Sequence, residues 1–263
     1  MKTVIKLGGS VLVDSKLRTA LVEQIVKLQA SGRQIIVVHG GGKQIASMLE
    51  RLGIASKFYD GLRVTDEAAR EVIQMVLAGQ VGKELVAEFA RHGAPAVSFT
   101  GGDGLSFLSK RICADDGTDL GFVGSISEGS PTLVDAILGI GAVPVVACLG
   151  FNPADFIFDN VNGDQMAASV AEICAADELI FVTDVGGVKD AEGAIYPVLT
   201  RRQLVELLDS GVASGGMRPK LRSCDAALAG GVSKVLIVGA GTPDVLLSAC
   251  DGTARVGTAI LAD

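Results

Sequence analysis

Three glycine clusters, each directly after an apolar segment, are the residues of this chain best suited to chemistry. They are Gly8-Gly9-Ser10, Gly40-Gly41-Gly42 and Asp184-Val185-Gly186-Gly187. Backbone N–H groups that no Cβ shields can approach an anion closely, and parallel sheets bind ligands at the carboxyl ends of their strands. Lys6 precedes the first cluster inside an apolar segment, where an ammonium group is costly unless it reaches a site. The pattern indicates one long anionic ligand, or two ligands, across a sheet edge.

The common nucleotide and calcium motifs do not account for these glycines. A Walker A loop is excluded because Val37 stands at its first glycine and Gln44 at its Ser or Thr. Residues 239–244 lack the third glycine of a dinucleotide fingerprint and lie late in the chain. Residues 159–164 place glycine and oxygen ligands out of register for an EF-hand. A dehydrogenase or a calcium-binding protein is therefore disfavoured.

The composition indicates a globular chain without a basic surface. The 263 residues are 49% hydrophobic and 20% charged, with a net charge of −7, and they can bury one large core or two small ones. Nucleic acid or an anionic membrane would require a basic stripe, which this acidic balance does not offer. Local lysines and backbone N–H groups can still hold phosphates. Neither a nucleic-acid nor a membrane partner is expected.

The cysteines and the N-terminal sequence indicate the cellular compartment in which the protein is expected. Five cysteines are scattered without a CxxC pair, and Cys148 and Cys174 lie in apolar segments typical of a core. The first residues reach Gly8 too soon for a signal peptide, and no apolar run approaches about 20 residues without glycine or charge. A reducing, cytoplasmic location is therefore expected.

Alternating strands and helices are expected to position the glycine clusters. Five short apolar segments, rich in β-branched residues, are typical of parallel strands buried on both faces; they are residues 4–7, 35–38, 143–147, 179–182 and 235–238. Apolar residues at three- or four-residue spacing predict helices around 17–28, 69–77 and 166–173. Residues 56–64 and 106–126 predict hairpins that project from the sheet. The whole pattern predicts an α/β fold.

Six motifs in order make the chain recognisable. They are IKLGGS at 5–10, VHGGGK at 38–43, GLRVT at 61–65, NVNGDQ at 160–165, TDVGGV at 183–188 and GGMRPK at 215–220. The chain resembles the amino acid kinase family nearly from end to end. The resemblance implies a three-layer sandwich with a largely parallel central sheet, the carbamate kinase-like fold. It also implies a single domain of two lobes, with residues 1–175 for the amino-acid substrate and dimerisation and residues 176–263 for ATP.

The resemblance implies a catalytic role for three residues. Lys6 and Lys220 would stabilise negative charge on the transferring phosphoryl group, and Asp164 would hold both ammonium groups. Taken alone, Asp164 near the start of a helix is also explained as a complement to the helix dipole.

Binding residues are implied in the same way. Gly41 and Gly42 would present N–H groups to the reacting carboxylate, Arg63 would grip an α-carboxylate, and Asn160 would read an N-acyl group or its nitrogen. Taken alone, Arg63 is explained equally well as a solvated side chain. Mg²⁺ would be held largely by the phosphates. The ATP contacts would be Gly8, Gly9, Asp184, Val185, Gly186, Gly187, Val188, Lys189, Val212, Ser214 and Met217.

The narrower motifs resemble those family members that phosphorylate the γ-carboxylate of N-acetyl-L-glutamate with ATP, a step of arginine biosynthesis that releases ADP. Two alternatives stay open. The first is a kinase for aminoadipate or glutamate linked to a carrier protein, because residues 98–112 match the family loosely. The second is a non-catalytic amino-acid-sensing protein on the same fold.

A prediction of quaternary structure follows from the resemblance. Relatives inhibited by arginine carry an N-terminal helix ahead of the first strand, whereas here the first expected strand begins almost at Met1. We therefore expect a homodimer that is insensitive to arginine. Its subunits would associate through the helix around 68–85, whose apolar stripe of Val72, Met75, Val76 and Leu77 suits either core or interface.

Overall fold

The computed structural model describes residues 1–210, 217–252 and 256–262, which form alternating strands and helices. The strands are β1 (Lys2–Leu7), β2 (Gln34–His39), β3 (Lys57–Tyr59), β4 (Leu62–Val64), β5 (Ala96–Phe99), β6 (Phe107–Cys113), β7 (Asp119–Gly129), β8 (Val143–Ala147), β9 (Leu149–Asn152), β10 (Ile157–Val161), β11 (Glu178–Thr183), β12 (Val198–Thr200), β13 (Lys234–Gly239) and β14 (Thr258–Leu261). The α-helices are α1 (Gly9–Val13), α2 (Ser15–Ala30), α3 (Gly42–Arg51), α4 (Glu67–Gln74), α5 (Gly82–Arg91), α6 (Thr132–Gly139), α7 (Gly163–Ile173), α8 (Arg201–Asp209), α9 (Met217–Ala229) and α10 (Val245–Asp251).

The central sheet has eight strands in the order β12-β14-β13-β11-β1-β2-β8-β5. All five strands expected from apolar segments are present and run parallel to one another, and β14 pairs with β13 in the antiparallel direction. Every residue of β8 and β11 is buried, as expected of strands covered on both faces. Helices α2, α5 and α10 pack together on the sheet, as do α7, α8 and α9. The expected three-layer α/β fold is confirmed.

Two further β structures lie beside the central sheet. Strands β3 and β4 form an antiparallel hairpin within residues 56–64, as expected. Strands β6 and β7 form the second expected hairpin, which closes with β9 and β10 into a four-stranded barrel. Thr65, which follows β4, bridges to Gly121 in β7 and so joins the hairpin to the barrel.

A π-helical segment, Met75–Val81, joins α4 to α5 into one long helix. The helix expected around 69–77 is thus confirmed, and the structure decides the role of its apolar stripe. Val72, Val76 and Leu77 are almost completely buried and belong to the core, whereas the Met75 side chain is 59% exposed. Among the described residues, no helix is long and apolar enough to cross a membrane.

The strand order brings the three glycine clusters together. Strands β2, β1 and β11 are adjacent and parallel, so the turns that follow them lie at one edge of the sheet. The topology reverses at β1, because the chain continues to β2 on one side and returns in β11 on the other. Such switch points open a crevice between neighbouring loops, which is where open α/β sheets bind ligands.

Candidate active site

A cavity of about 210 Å³ opens at this switch point. The glycine turns after β1 and β2 form one wall, the hairpin of β3 and β4 a second, and the end of β10 a third. Helices α3 and α7, and the short α1, all begin at the cavity, since Gly9, Gly42 and Gly163 line it. The partial positive charge of helix N-termini favours an anionic ligand there.

Two lysines share one carboxylate beside the cavity. Lys6 Nζ lies 2.8 Å from Asp164 Oδ1, and Lys220 Nζ lies 2.7 Å from Asp164 Oδ2. The three side chains are only 11–13% exposed. Lys6 lines the cavity itself, and Lys220 approaches from α9, so these three predicted residues are brought together from three distant elements.

The charge state of Asp164 follows from its two partners. Burial by itself would raise the pKa of this carboxyl group, but the ammonium groups of Lys6 and Lys220 outweigh it and hold the pKa below its usual range. Asn162 caps α7, since its Oδ1 accepts hydrogen bonds from the backbone N–H groups of Asp164 and Gln165 at 2.9 and 3.3 Å. An asparagine two residues before an aspartate at a helix start is a recognisable cap signal, although sequence reasoning did not assign it a role.

The glycine turns approach one another too closely for side chains. A Cβ on Gly9 would lie 3.2 Å from Gly42 N, and a Cβ on Gly41 would lie 2.7 Å from the Leu77 Cδ2 atom of the π-helical segment. The turn after β2 is therefore held between the turn after β1 and the long helix. The first N–H groups of α3 have no hydrogen-bond partner within the helix, and they lie at its cavity end.

Arg63 is a buried cation on the hairpin side of the cavity. Its guanidinium donates hydrogen bonds to Ser56 Oγ and to Gly42 O, the latter at 3.2 Å, and packs 4.5 Å from the centroid of the Phe58 ring. No carboxylate of the described residues lies within ion-pair distance of it. Burial lowers the pKa of Arg63 from its ordinary value. A buried guanidinium with this environment is suited to an anionic ligand.

Asn160, another predicted substrate residue, lies in β10 and lines the cavity. Its Nδ2 group donates to Thr65 Oγ1 at 3.1 Å. Leu77, Val123 and Cys148 also line the cavity, and sequence reasoning missed them, because an apolar side chain on a buried element carries no signal that it faces a ligand.

The thiol of Cys148 and the ring of His39 are both buried and uncharged. Burial raises the pKa of Cys148 to about 12, and its Sγ–H donates to His39 O at 2.9 Å. Burial likewise lowers the pKa of His39 to about 4, and its Nδ1 lies 3.0 Å from Gly40 O. A protonated thiol is a poor nucleophile, so Cys148 is a packing residue, as its apolar segment indicated.

The described residues predicted to contact ATP lie in the turn after β11, in the turn after β1 and at the start of α9. Asp184, Val185 and Lys189 are exposed, and the turn is tied down by the 2.8 Å hydrogen bond from Val188 N to Thr258 Oγ1. Gly187 has a φ of +156°, and a Cβ there would lie 2.7 Å from Thr258 Oγ1. Gly8 and Gly186 accompany these residues in the two adjacent turns, and Met217 packs partly against the core. Val212 and Ser214 lie outside the described residues.

Two ammonium groups on one carboxylate, beside glycine turns at a parallel-sheet switch point, define the class of an α/β phosphotransferase. The chain belongs to the amino acid kinase family, which its sequence matches over residues 1–239. It is 42% identical to an acetylglutamate kinase of Acidobacterium capsulatum over the whole of both chains.

Solved structures agree with this assignment. The N-acetylglutamate synthase of Neisseria gonorrhoeae, complexed with coenzyme A and N-acetylglutamate, matches with a TM-score of 0.88 and 25% identity, over 100% of this chain and 59% of that one. The carbamate kinase of Giardia lamblia bound to AMP-PNP matches with a TM-score of 0.72 over 100% of this chain and 98% of that one; at 14% identity it shows the fold alone. The expected family, kinase activity and carbamate kinase-like fold are confirmed.

Proposed function

We propose that this enzyme transfers the γ-phosphoryl group of ATP to the γ-carboxylate of N-acetyl-L-glutamate, as its relatives' name describes. The observation that carries the proposal is the arrangement of Lys6 and Lys220 on either side of Asp164, at a cavity that also holds a buried arginine. Three cations and one anion in this region make it locally positive inside a chain of net charge −7. Such a site suits two anionic substrates that must approach each other.

The reaction needs no general base. A side-chain carboxyl group with a pKa of about 4.3 is already ionised at neutral pH, so its oxygen can attack the γ-phosphorus directly. A bond forms between that oxygen and phosphorus while the bond to the β–γ bridging oxygen breaks, and ADP leaves with the electron pair. The residues therefore have to orient the substrates and neutralise charge.

Asp164 acts as an organiser in this proposal. Both of its carboxylate oxygens are engaged by lysines, and its pKa is held low, so it is unsuited to taking up a proton. It instead fixes the ammonium groups of Lys6 and Lys220, which stabilise the charge that develops on the transferring phosphoryl group. Asn162 holds Asp164 in place by capping α7.

The amino-acid substrate occupies the 210 Å³ cavity. Its reacting carboxylate lies at the N–H groups of Gly41 and Gly42, and its α-carboxylate pairs with Arg63, which has no acidic partner in the described part of the chain. Asn160 contacts the N-acyl group. The opposite ends of the substrate are thus held on two walls of one cavity.

ATP lies along the adjacent turns, with phosphates near Gly8 and Gly9 and the nucleoside toward the Asp184–Lys189 turn and Met217. No three Asp, Glu, His or Cys side chains of the described residues lie close enough together to hold a metal ion. Mg²⁺ would be carried mainly by the nucleotide phosphates, whose oxygens are the ligands that this cation prefers. When bound, Mg²⁺ would neutralise phosphate charge.

Lobe boundaries, location and assembly are part of the same proposal. The residues that line the cavity lie between 6 and 163, which supports an amino-acid lobe at 1–175 and a nucleotide lobe at 176–263. Four of the five free cysteines are buried, which suits a cytoplasmic enzyme. Insensitivity to arginine stays a prediction.

A homodimer is proposed through the long helix and the adjacent sheet edge. Met75 is 59% exposed on that helix, and Val97 is 38% exposed on the edge strand β5. Light scattering at micromolar concentration should give twice the chain mass, and Met75→Glu should halve it. Val205→Glu, on α8 at the opposite edge of the sheet, is the control and should leave the mass unchanged. A monomeric wild-type protein would contradict the proposed dimer.

The function is tested by trapping the acyl phosphate with hydroxylamine. With ATP, N-acetyl-L-glutamate should yield hydroxamate, while free glutamate and aspartate should yield little. The acyl group has a chemical purpose, because a free amine would attack its own γ-acyl phosphate and cyclise. Equal yields from free glutamate, or yield only from a carrier-linked substrate, would overturn the proposal.

A further inference from the structure

Thr65 is a completely buried residue that joins the substrate hairpin to the barrel. Its backbone N–H donates to Leu120 O at 3.0 Å, and its carbonyl accepts from Phe122 N at 2.7 Å. Both backbone groups of Thr65 are therefore held by strand β7, which fixes the direction of its side chain. Its hydroxyl oxygen lies 2.8 Å from Arg63 O and 3.1 Å from Asn160 Nδ2.

These two contacts determine to which atom the Thr65 hydroxyl donates its hydrogen. A carbonyl oxygen can only accept, so the Thr65 hydroxyl must donate its one hydrogen to Arg63 O. Toward Asn160 the hydroxyl can then only accept, and the amide must present Nδ2 rather than Oδ1. Reversal of the amide would set two lone pairs against each other in a buried environment. With one Nδ2 hydrogen donated to Thr65 Oγ1, Oδ1 of Asn160 is the acceptor that this amide offers to a ligand in the cavity.

We propose that Thr65 is a positioning residue that sets the enzyme's requirement for an N–H group on the α-carbon of its substrate. It does so by fixing Asn160 with Oδ1, an acceptor, toward the ligand. This proposal rests on the proposed function, because it concerns how the same site reads its acylated substrate. An N-acyl amide has the N–H donor that Oδ1 needs, whereas the corresponding ester has an oxygen that can only accept.

The role of the substrate's amide hydrogen can be tested with 2-acetoxyglutarate, in which the amide N–H of N-acetylglutamate is replaced by an ester oxygen. The wild-type enzyme should bind it about tenfold or more weakly than N-acetylglutamate, because Oδ1 of Asn160 is left facing another acceptor beneath the bound ligand. In Thr65→Val the hydroxyl is replaced by a methyl group of similar shape. The amide of Asn160 can then turn and donate Nδ2–H to the ester, so the ratio of the two dissociation constants should fall to about threefold or less.

Calorimetric titration of both compounds into the 263-residue enzyme measures this ratio, and hydroxamate trapping is run separately. Thr65→Ser keeps the hydroxyl and should keep the wild-type ratio. A general packing defect in Thr65→Val would weaken both ligands together and leave the ratio unchanged. Should Thr65→Val fail to fold, Thr65→Ala provides the same comparison.

The outcomes separate this inference from the proposed function. A wild-type ratio near one, or an unchanged ratio in Thr65→Val and Thr65→Ala, overturns the role of Thr65 even where N-acetylglutamate is phosphorylated. Loss of the ratio in Thr65→Ser overturns it as well. Tight binding of N-acetylglutamate without any acyl phosphate would instead overturn the proposed function, while the binding ratio still decides the role of Thr65.

Discussion

Replacement of Lys220 by methionine removes one ammonium group while keeping an unbranched, apolar side chain of similar length. In the folded enzyme Lys220 Nζ lies 2.7 Å from Asp164 Oδ2 and 5.0 Å from the centroid of the Phe181 ring. The side chain is 11% exposed, so water cannot readily take the place of the lost charge. Asp164 keeps its contact with Lys6, and the site keeps two of its three cations.

The expected magnitude follows from where the charge acts. An ammonium group about 4 Å from a phosphoryl oxygen interacts with roughly 4 kcal/mol at an effective dielectric constant near 20. Measured losses for one preorganised charge or dipole donor are about 2.7–4 kcal/mol, which corresponds to a hundredfold to a thousandfold in rate. Because this charge serves the transferring group rather than the amino acid, kcat should fall by that factor, while KM for N-acetylglutamate should change by about threefold or less.

The assay is steady-state release of ADP, together with thermal unfolding to show that the variant is folded. Lys234→Met is the matched control, because Lys234 also pairs with a buried carboxylate, Glu178, at 2.5 Å, but at the amino-terminal end of β13 and away from the site. It should lower stability and leave kcat near the wild-type value. A folded Lys220→Met enzyme with kcat within about threefold of wild type would refute the assignment.

Three further results are expected. Arg63→Lys should raise KM for N-acetylglutamate about tenfold or more with a small change in kcat, since an ammonium group cannot grip a carboxylate in bidentate fashion; a fall in kcat at constant KM in steady-state kinetics would contradict this. Gly41→Ala should destabilise the enzyme by about 1–3 kcal/mol in thermal or urea unfolding, because its Cβ would lie 2.7 Å from Leu77 Cδ2, and the double variant with Leu77→Ala should recover part of that loss. The free energy of unfolding should fall by about 3 kcal/mol between pH 6.5 and 4 through His39, whose pKa burial lowers to about 4, because the unfolded chain takes up a proton that the folded chain refuses. Urea unfolding of wild type and His39→Asn across this range measures the difference, and identical pH slopes would exclude the effect.

The fold and the turns of the site could be predicted because their signals are local. A run such as residues 179–182 is apolar at every position, and a strand with that pattern must be covered on both faces. A glycine cluster after such a strand forms a turn whose N–H groups are open. The motif order then identified the family, and with it the residues Lys6, Asp164 and Lys220.

The role of the long helix needed the packed structure. Val72, Met75, Val76 and Leu77 suit a core and an interface equally well as a sequence pattern. The π-helical segment changes the angular position of the side chains that follow Met75, and burial separates the three core residues from the exposed methionine. Spacing along an ideal helix could not have made that separation.

What the sequence determined by itself is therefore the five central strands, the two hairpins, three of the helices and the family motifs, since each depends on neighbours within a strand or a few helical turns. Tertiary structure alone decided which distant groups meet. Lys220 and Asp164 are 56 residues apart and in contact, and Asn160 reaches Thr65 across 95 residues. The direction in which the Asn160 amide faces depends on this second contact, because the Thr65 hydroxyl has already donated its hydrogen to Arg63 O, two residues away. Such contacts arise only when the sheet order, the barrel and the hairpin are packed together, and no local propensity encodes them.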